Sequence, residues 1–223
     1  MSAPLTFRDS EHLCKQLKKC KNLLYRWFDG HHETIEDAVL GSVGGNTFRS
    51  FKHMPHKPSA VFREWAIRKF HKEKTIVSLL GISSQSEYDG WLHKLTQSLH
   101  NSWKRRMGSQ NLIPYGPRKK LPNLLLKQMV IWEGIGKSQR KRLMRFLHVP
   151  LDRHTLVAIR NCIEGDHDRR VIGRIPRNPT MGFVKNEAVY QQIQNLIRAI
   201  TKRAGVPHIL LDFLAWDMAH SKK

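Results

Sequence analysis

The chain is 223 residues long, and its 39 Lys plus Arg against 18 Asp plus Glu leave a formal net charge of +21. Like charge in such excess repels itself in a compact chain, and a protein that keeps it meets a polyanion, either nucleic acid or an anionic membrane surface. A hydrophobic content of 40%, with six Trp and nine Phe spread along the chain, excludes a solvating disordered tail; a chain of this length can bury about 70% of its unfolded surface, in one domain or two closely packed lobes.

Cys14, Cys20 and Cys162 neither pair completely nor form a C-x-x-C, which disfavours a disulfide scaffold and a cysteine zinc site. The longest apolar stretches, 75–82 and 209–216, fall far short of the roughly 20 residues that cross a bilayer. Residues 1–20 read as a polar, basic helix start and not as a cleavable signal, so the expected location is the cytoplasm, on the nucleoid.

In chain order, residues 9–28 space Leu13, Leu17, Cys20, Leu24 and Phe28 by threes and fours, a helix with Asp9 or Ser10 as its cap. A short helix over 33–40 and a turn-rich 41–50 follow. Residues 60–80 and 86–106 predict two helices, one with Val61, Trp65, Ile67 and Phe70, the other with Tyr88, Trp91, Leu92, Leu95, Leu99 and Trp103. In 111–132, a turn with Pro114, Gly116 and Pro117 leads into an apolar helix through Leu121, Leu124, Leu125, Met129 and Trp132. Pro122 is placed in its first turn, where a missing N–H costs little. A second basic loop runs from Gly134 to Arg145. Asp152 then stands as the N-cap of a helix through Thr155, Leu156, Ala158 and Ile159. Residues 164–182 read as irregular, 184–202 as helix, and a last apolar helix surrounds Trp216. Period-two alternation is nearly absent, so the fold class is mostly α, a single two-lobed helical domain over 1–223.

Charge is unevenly laid down. From 91 to 151 one acid, Glu133, faces thirteen bases, whereas a solvated helix face interleaves both signs. The bases gather on two Gly/Pro segments at helix starts, where backbone N–H groups point outward and take phosphates: Gly116, Arg118 and Lys119 on the first, Lys137, Arg140, Lys141 and Arg142 on the second. These are the candidate DNA-binding residues. A membrane partner is disfavoured, because the bases lie on turns and not along one long amphipathic helix.

Lys120 and Asp152 are the candidate catalytic pair. A lysine amine is a nucleophile only when deprotonated, and neighbouring cations with partial burial favour the neutral form. A carboxylate opposite it can stabilise positive charge on a sugar ring as a base departs. Both residues also have structural readings, Lys120 as a phosphate binder and Asp152 as an N-cap alone. The thirteen histidines show no metal-ligand spacing: His31, His32 and Glu33, or His53 and His56, lack H-E-x-x-H or a third nearby ligand. Neither a metal nor another cofactor is expected.

The segment IPYGPRKK, Ile113 to Lys120, resembles the hairpin of a helix-hairpin-helix DNA glycosylase, and VPLDRH, Val149 to His154, resembles that superfamily's Pro-Val-Asp-x-His element. Within the superfamily the likeness is nearest to the archaeal-type 8-oxoguanine DNA glycosylases. In that branch the motif lysine begins an apolar helix with a second lysine seven residues on, as Lys120 and Lys127 do here. The resemblance covers about residues 111–160 and departs from the pattern in having Gly116-Pro117 where the hairpin carries Gly-x-Gly. It implies a helix-hairpin-helix DNA-binding element and a monomeric DNA glycosylase with AP-lyase activity. Lys120 would be the Schiff-base nucleophile (Lys119 if the turn is one residue shorter) and Asp152 its acidic partner. The partner would be double-stranded DNA with a modified base flipped into a cleft between the lobes, Trp65, Trp132 and Trp216 being available to sandwich it. The excised base would be 8-oxoguanine, in repair, or a hypermodified phage base such as glucosylated hydroxymethylcytosine, in antiviral defence. The alternative is a non-catalytic DNA-binding module.

Overall fold

Short polar side chains set the helix starts. Asp9, Thr34, Ser84, Asp152 and Asn186 each stand immediately before a helix and accept a hydrogen bond from a backbone N–H of its first turn. Such caps satisfy donors that have no intrahelical partner, at about 1 kcal/mol apiece. The computed structural model describes residues 3–28, 31–44, 47–51 and 53–220. Among them are α1 (Ser10–Tyr25), α2 (Ile35–Ser42), α3 (Pro58–Phe70), α4 (Glu73–Leu80), α5 (Gln85–Met107), α6 (Tyr115–Met129), α7 (Lys137–Leu143), α8 (Arg153–Ile159), α9 (Asp166–Ile172), α10 (Glu187–Ala204) and α11 (Leu210–His220). The described residues form no strand, only an isolated bridge between His32 and Trp132. The fold is mostly α, as the periodicity predicts. No helix among the described residues is long and apolar enough to cross a membrane.

The chain divides into two compact units. The first comprises Met1–Asp29, Tyr115–Lys120 and His148–Lys223, and the second Gly30–Pro114 and Leu121–Leu147. In the first, α1 packs on α10 and α11, α8 on α11, and α9 on α10. The predicted stripe of Leu13, Leu17, Cys20, Leu24 and Phe28 is buried, as are Ile193, Ile197 and Ile200 of α10. In the second, α3 packs on α2, α4 and α5. Its core holds Val61, Trp65 and Phe70 with Tyr88, Leu92, Leu95, Leu99 and Trp103.

Five expectations are corrected. The helix expected over 60–80 is two, because α3 ends at Phe70 and α4 begins at Glu73. The basic loop from Gly134 to Arg145 contains helix α7, whose Gly136 N–H is held by the Gln139 side chain at 3.2 Å. Residues 164–182 include α9, with Asp166 and Asp168 in its first turn, where carboxylates favour the helix dipole. In the turn expected over 41–50, Gly45 and Asn46 lie outside the described residues, and residues 49–51 form a 3-10 turn.

The fifth correction bears on the site. The turn expected around Pro114, Gly116 and Pro117 is helix from Tyr115 on, since α6 starts there behind Pro114, whose ψ of 158° is extended. Gly116, Pro117, Arg118, Lys119 and Lys120 are therefore helical. Pro117 falls in the first turn, where its missing N–H costs nothing, whereas Pro122 lies inside the helix and cannot donate to the Arg118 carbonyl. Residues of α6 up to Lys120 belong to the first unit and those from Leu121 to the second.

Gly116 is buried, and a β-carbon there would collide with the backbone carbonyl of Met181. Gly116→Ala should therefore lower stability by about 1–3 kcal/mol, since the obstacle is backbone that cannot rotate away. Gly90, exposed in the middle of α5 with open space around it, makes the opposite case: Gly90→Ala should raise stability by about 0.5–1 kcal/mol. Thermal and urea unfolding of the two variants should move in opposite directions.

Candidate active site

Asp152 and Lys120 meet. The Lys120 Nζ lies 3.2 Å from Asp152 Oδ2, with side chains only 10% and 5% exposed. Asp152 caps α8: its Oδ1 accepts from the backbone N–H of His154 at 2.8 Å and of Thr155 at 3.2 Å. Thr155, at the third helical position, completes a capping box by accepting from the Asp152 N–H at 2.8 Å. Oδ2 is shared between Lys120 and the Trp216 indole, whose Nε1 donates at 2.6 Å. The Trp216 ring lies over His154, centroids 4.4 Å apart. Thus α6, α8 and α11 each supply one member of a group that belongs wholly to the first unit.

The loop that delivers Asp152 is held from α10. Gln194, fully buried, accepts from the Val149 N–H at 3.0 Å and donates to the Val149 carbonyl at 2.8 Å. Thr155 Oγ1 also donates to the Pro150 carbonyl at 3.1 Å. The segment Val149 to Leu151 is therefore fixed on both sides before the helix begins. His148, just before it, is buried and bonded to the Tyr190 hydroxyl at 2.8 Å, with Arg198 at 3.4 Å from its other nitrogen.

Burial by itself pushes the Asp152 carboxyl up, but the Lys120 ammonium, the Trp216 indole and the Thr155 N–H outweigh it and hold the group below the usual carboxylate range. At 3.2 Å and an effective dielectric constant of about 20, the ion pair is worth on the order of 5 kcal/mol before desolvation is subtracted. A carboxylate with both oxygens occupied is a fixed anion. It orients an amine and favours nearby positive charge, and it is poorly suited to act as a roving base.

Of the remaining expected site residues, Lys119 is corrected most. It is buried and paired with Glu187 at 2.8 Å, its ammonium 5.0 Å from the centre of the Tyr190 ring, and so points into the protein instead of toward a phosphate. Glu187 also accepts from the Tyr115 hydroxyl at 2.6 Å. Burial pushes the Glu187 carboxyl up, yet the bonds from Lys119 and Tyr115 leave it lowered. Gly116 packs against backbone, which removes it as a phosphate-approach glycine. Arg118 is half-buried, with its guanidinium 5.2 Å from the Tyr115 ring centre. On α7, Lys137 and Lys141 are exposed, Arg140 donates to the Ile135 carbonyl at 3.4 Å, and Arg142 donates to the Leu80 carbonyl.

Trp65 is a core residue bonded to Ser98, and Trp132 donates to the Glu33 carbonyl at 3.2 Å; Trp216 alone of the three touches the pair. Trp132 also closes on Gly134, where a β-carbon would collide with its indole, so the Gly134-Ile135-Gly136 turn between α6 and α7 requires its first glycine. That turn is a Gly-x-Gly between two helices, a signal the sequence itself carries. The D-x-x-T spacing of Asp152 and Thr155 was equally open to reading, whereas nothing local marks Gln194, 45 residues from Val149. The three cysteines are free and buried, and burial pushes the Cys162 thiol up to about 12. Among the described residues, no three His, Cys, Asp or Glu side chains group as a metal ion would need. No family model, curated protein or solved structure matches the chain.

Because the folded Asp152 carboxyl is lowered, its stabilisation is present above the unfolded value of about 3.9 and is lost as pH falls through the folded one. Asp152→Asn keeps the cap but leaves the Lys120 charge buried alone, and should cost about 3–5 kcal/mol at neutral pH. Urea unfolding against pH should show that gap constant above about pH 5 and closing below about pH 4. A gap that widens on acidification would contradict the assignment.

Proposed function

We propose that the protein is a DNA glycosylase with AP-lyase activity, acting through Lys120 and Asp152 on a modified base in duplex DNA. The observation that carries the reading is the buried ion pair between a lysine near the start of α6 and the carboxylate that caps α8, 3.2 Å apart. These are the two residues, at the two motifs, that the resemblance to helix-hairpin-helix glycosylases picks out. The net charge of +21 supplies the affinity for a polyanion. The hairpin element itself is best sought one helix later than the sequence motif implies, at Gly134-Ile135-Gly136 between α6 and α7, with exposed Lys137 and Lys141 just beyond it.

In this reading the Lys120 ammonium gives a proton to the departing base, and the amine so freed attacks C1′ of the flipped nucleotide as the glycosidic C–N bond breaks with its electron pair on the base. The nitrogen then loses a proton to solvent, and the C1′–O4′ bond opens with O4′ taking up a proton, which leaves the protonated imine. Asp152, fixed as an anion, stabilises the positive charge that builds on the sugar and then on the protonated imine. Loss of a C2′ proton expels the 3′ phosphate by β-elimination, and water releases the sugar from the lysine. Trp216, donating to Oδ2, keeps that oxygen directed at Lys120.

The occupation of both Asp152 oxygens favours a second reading, in which the pair is structural and the protein only binds DNA. Borohydride trapping separates the two. With a panel of duplexes, each carrying one candidate base, from 8-oxoguanine to glucosylated hydroxymethylcytosine, the wild-type chain should form a covalent adduct on one of them. Lys120→Ala should form none, and Asp152→Asn should lower base release by about 100-fold or more. If no variant traps and no base is released from any duplex, the binding module is the correct reading. Base release that survives Lys120→Ala would move the chemistry to water.

A further inference from the structure

The second unit carries two open troughs that meet at Lys94. The first, of about 470 Å³, is lined by Lys69, Lys72, Lys74 and Lys94 together with Thr75 and Ser78. The second, of about 640 Å³, continues along α5 past Ser98 and Asn101 to Lys104 and Arg105. Neither trough has a carboxylate in its lining. Among the described residues none of these six cations takes part in an ion pair, although Arg106, next along the chain, pairs with Glu64 at 3.3 Å. Like charges converge here and remain unneutralised, an arrangement that favours an anionic occupant.

The geometry narrows the occupant. Lys94, Ser98, Asn101 and Arg105 follow at spacings of four, three and four, so they share one face of α5. Eleven residues of helix at 1.5 Å each make that face about 16 Å long. Duplex DNA presents about five phosphates per strand over the same length, at one per 3.4 Å; Lys94, Lys104 and Arg105 lie along that stretch of α5, and Lys69, Lys72 and Lys74 line the first trough with Lys94. A trough accepts a convex phosphate ridge. A bilayer surface is flat and calls for a broad face of apolar side chains beside the lysines, whereas Leu95 and Trp91, whose Nε1 donates to Ser78 at 2.9 Å, are the apolar side chains in this lining.

We propose that this double trough is a second seat for the sugar-phosphate backbone of duplex DNA, distinct from the basic residues of α7 and from the Lys120–Asp152 pair. The seat rests on DNA being the partner, but it needs no base excision to operate. It reads no sequence, and it adds affinity and on-rate without touching the reacting atoms.

The test uses the full chain and a fluorescein-labelled duplex of unmodified DNA, titrated by anisotropy across a salt series. Lys72→Glu/Lys74→Glu and Lys94→Glu/Arg105→Glu alter exposed side chains, one pair at the first trough and one spanning both. Each should weaken low-salt binding by about tenfold or more and reduce the slope of log K against log salt by about 0.9 for every phosphate contact removed. The Gln versions of the same pairs should give the same direction with a smaller loss, and unchanged far-ultraviolet dichroism will show that the fold is retained. Wild-type affinity and slope in both pairs overturn the proposal. So does a loss confined to phosphatidylserine vesicles or to duplex RNA, with DNA binding untouched. If trapping fails on every duplex while the trough variants still lose DNA, the glycosylase reading falls and the seat stands.

Discussion

A charge taken out of water has to be met by partners fixed in place, and much of the first unit is arranged around that requirement at Asp152. Its two oxygens receive two backbone N–H groups, an indole N–H and a lysine ammonium. Leaving any one of these unmade would expose a buried anion to a penalty larger than most single contacts supply. The supporting parts follow from this. Gln194 grips the Val149 backbone, Thr155 ties the first turn of α8 back to Pro150, and α11 brings Trp216 within 2.6 Å. The result is a carboxylate whose position and ionisation are both decided before any ligand arrives, which is the preorganisation that electrostatic catalysis needs.

The same segment explains why two adjacent lysines differ in role. Lys119 and Lys120 sit side by side in sequence, so on a helix they point about 100° apart. One turns toward Glu187, Tyr115 and Tyr190, the other toward Asp152. Both are buried, and both are matched to a carboxylate from a distant part of the chain. In an extended hairpin their directions would have been set by the turn. Because Pro114 and Pro117 are compatible with a helix start, the helix begins early and its periodicity assigns each lysine its partner.

The basic residues therefore fall into two kinds. Lys119 and Lys120 are internal members of ion pairs, and Arg142 donates to a backbone carbonyl. Lys137 and Lys141 on α7, and the lysines and Arg105 along the α4 and α5 troughs, present their charge to solvent without an acid nearby in the lining. Attraction for a polyanion at long range comes from the second kind and from Arg142, whose carbonyl partner carries no charge, since Lys119 and Lys120 are already neutralised locally.

Local signals settled much of this in advance. The spacing of Leu13, Leu17, Cys20, Leu24 and Phe28 determines α1 and its buried face, and Asp9 and Asp152 announce helix starts, because periodicity and capping act over a few residues and need no tertiary context. The pairing of Lys120 with Asp152 was also legible, though only as two motifs 32 positions apart. What the tertiary structure alone decided is the fate of each charge. Whether Lys119 meets a phosphate or Glu187, whether Gly116 faces solvent or the Met181 carbonyl, and which lysines converge from α3, α4 and α5 on one trough depend on contacts between segments far apart in sequence. Burial is a property of the packed chain, and it separates the lysines paired with a carboxylate inside the protein from those that present their charge to solvent.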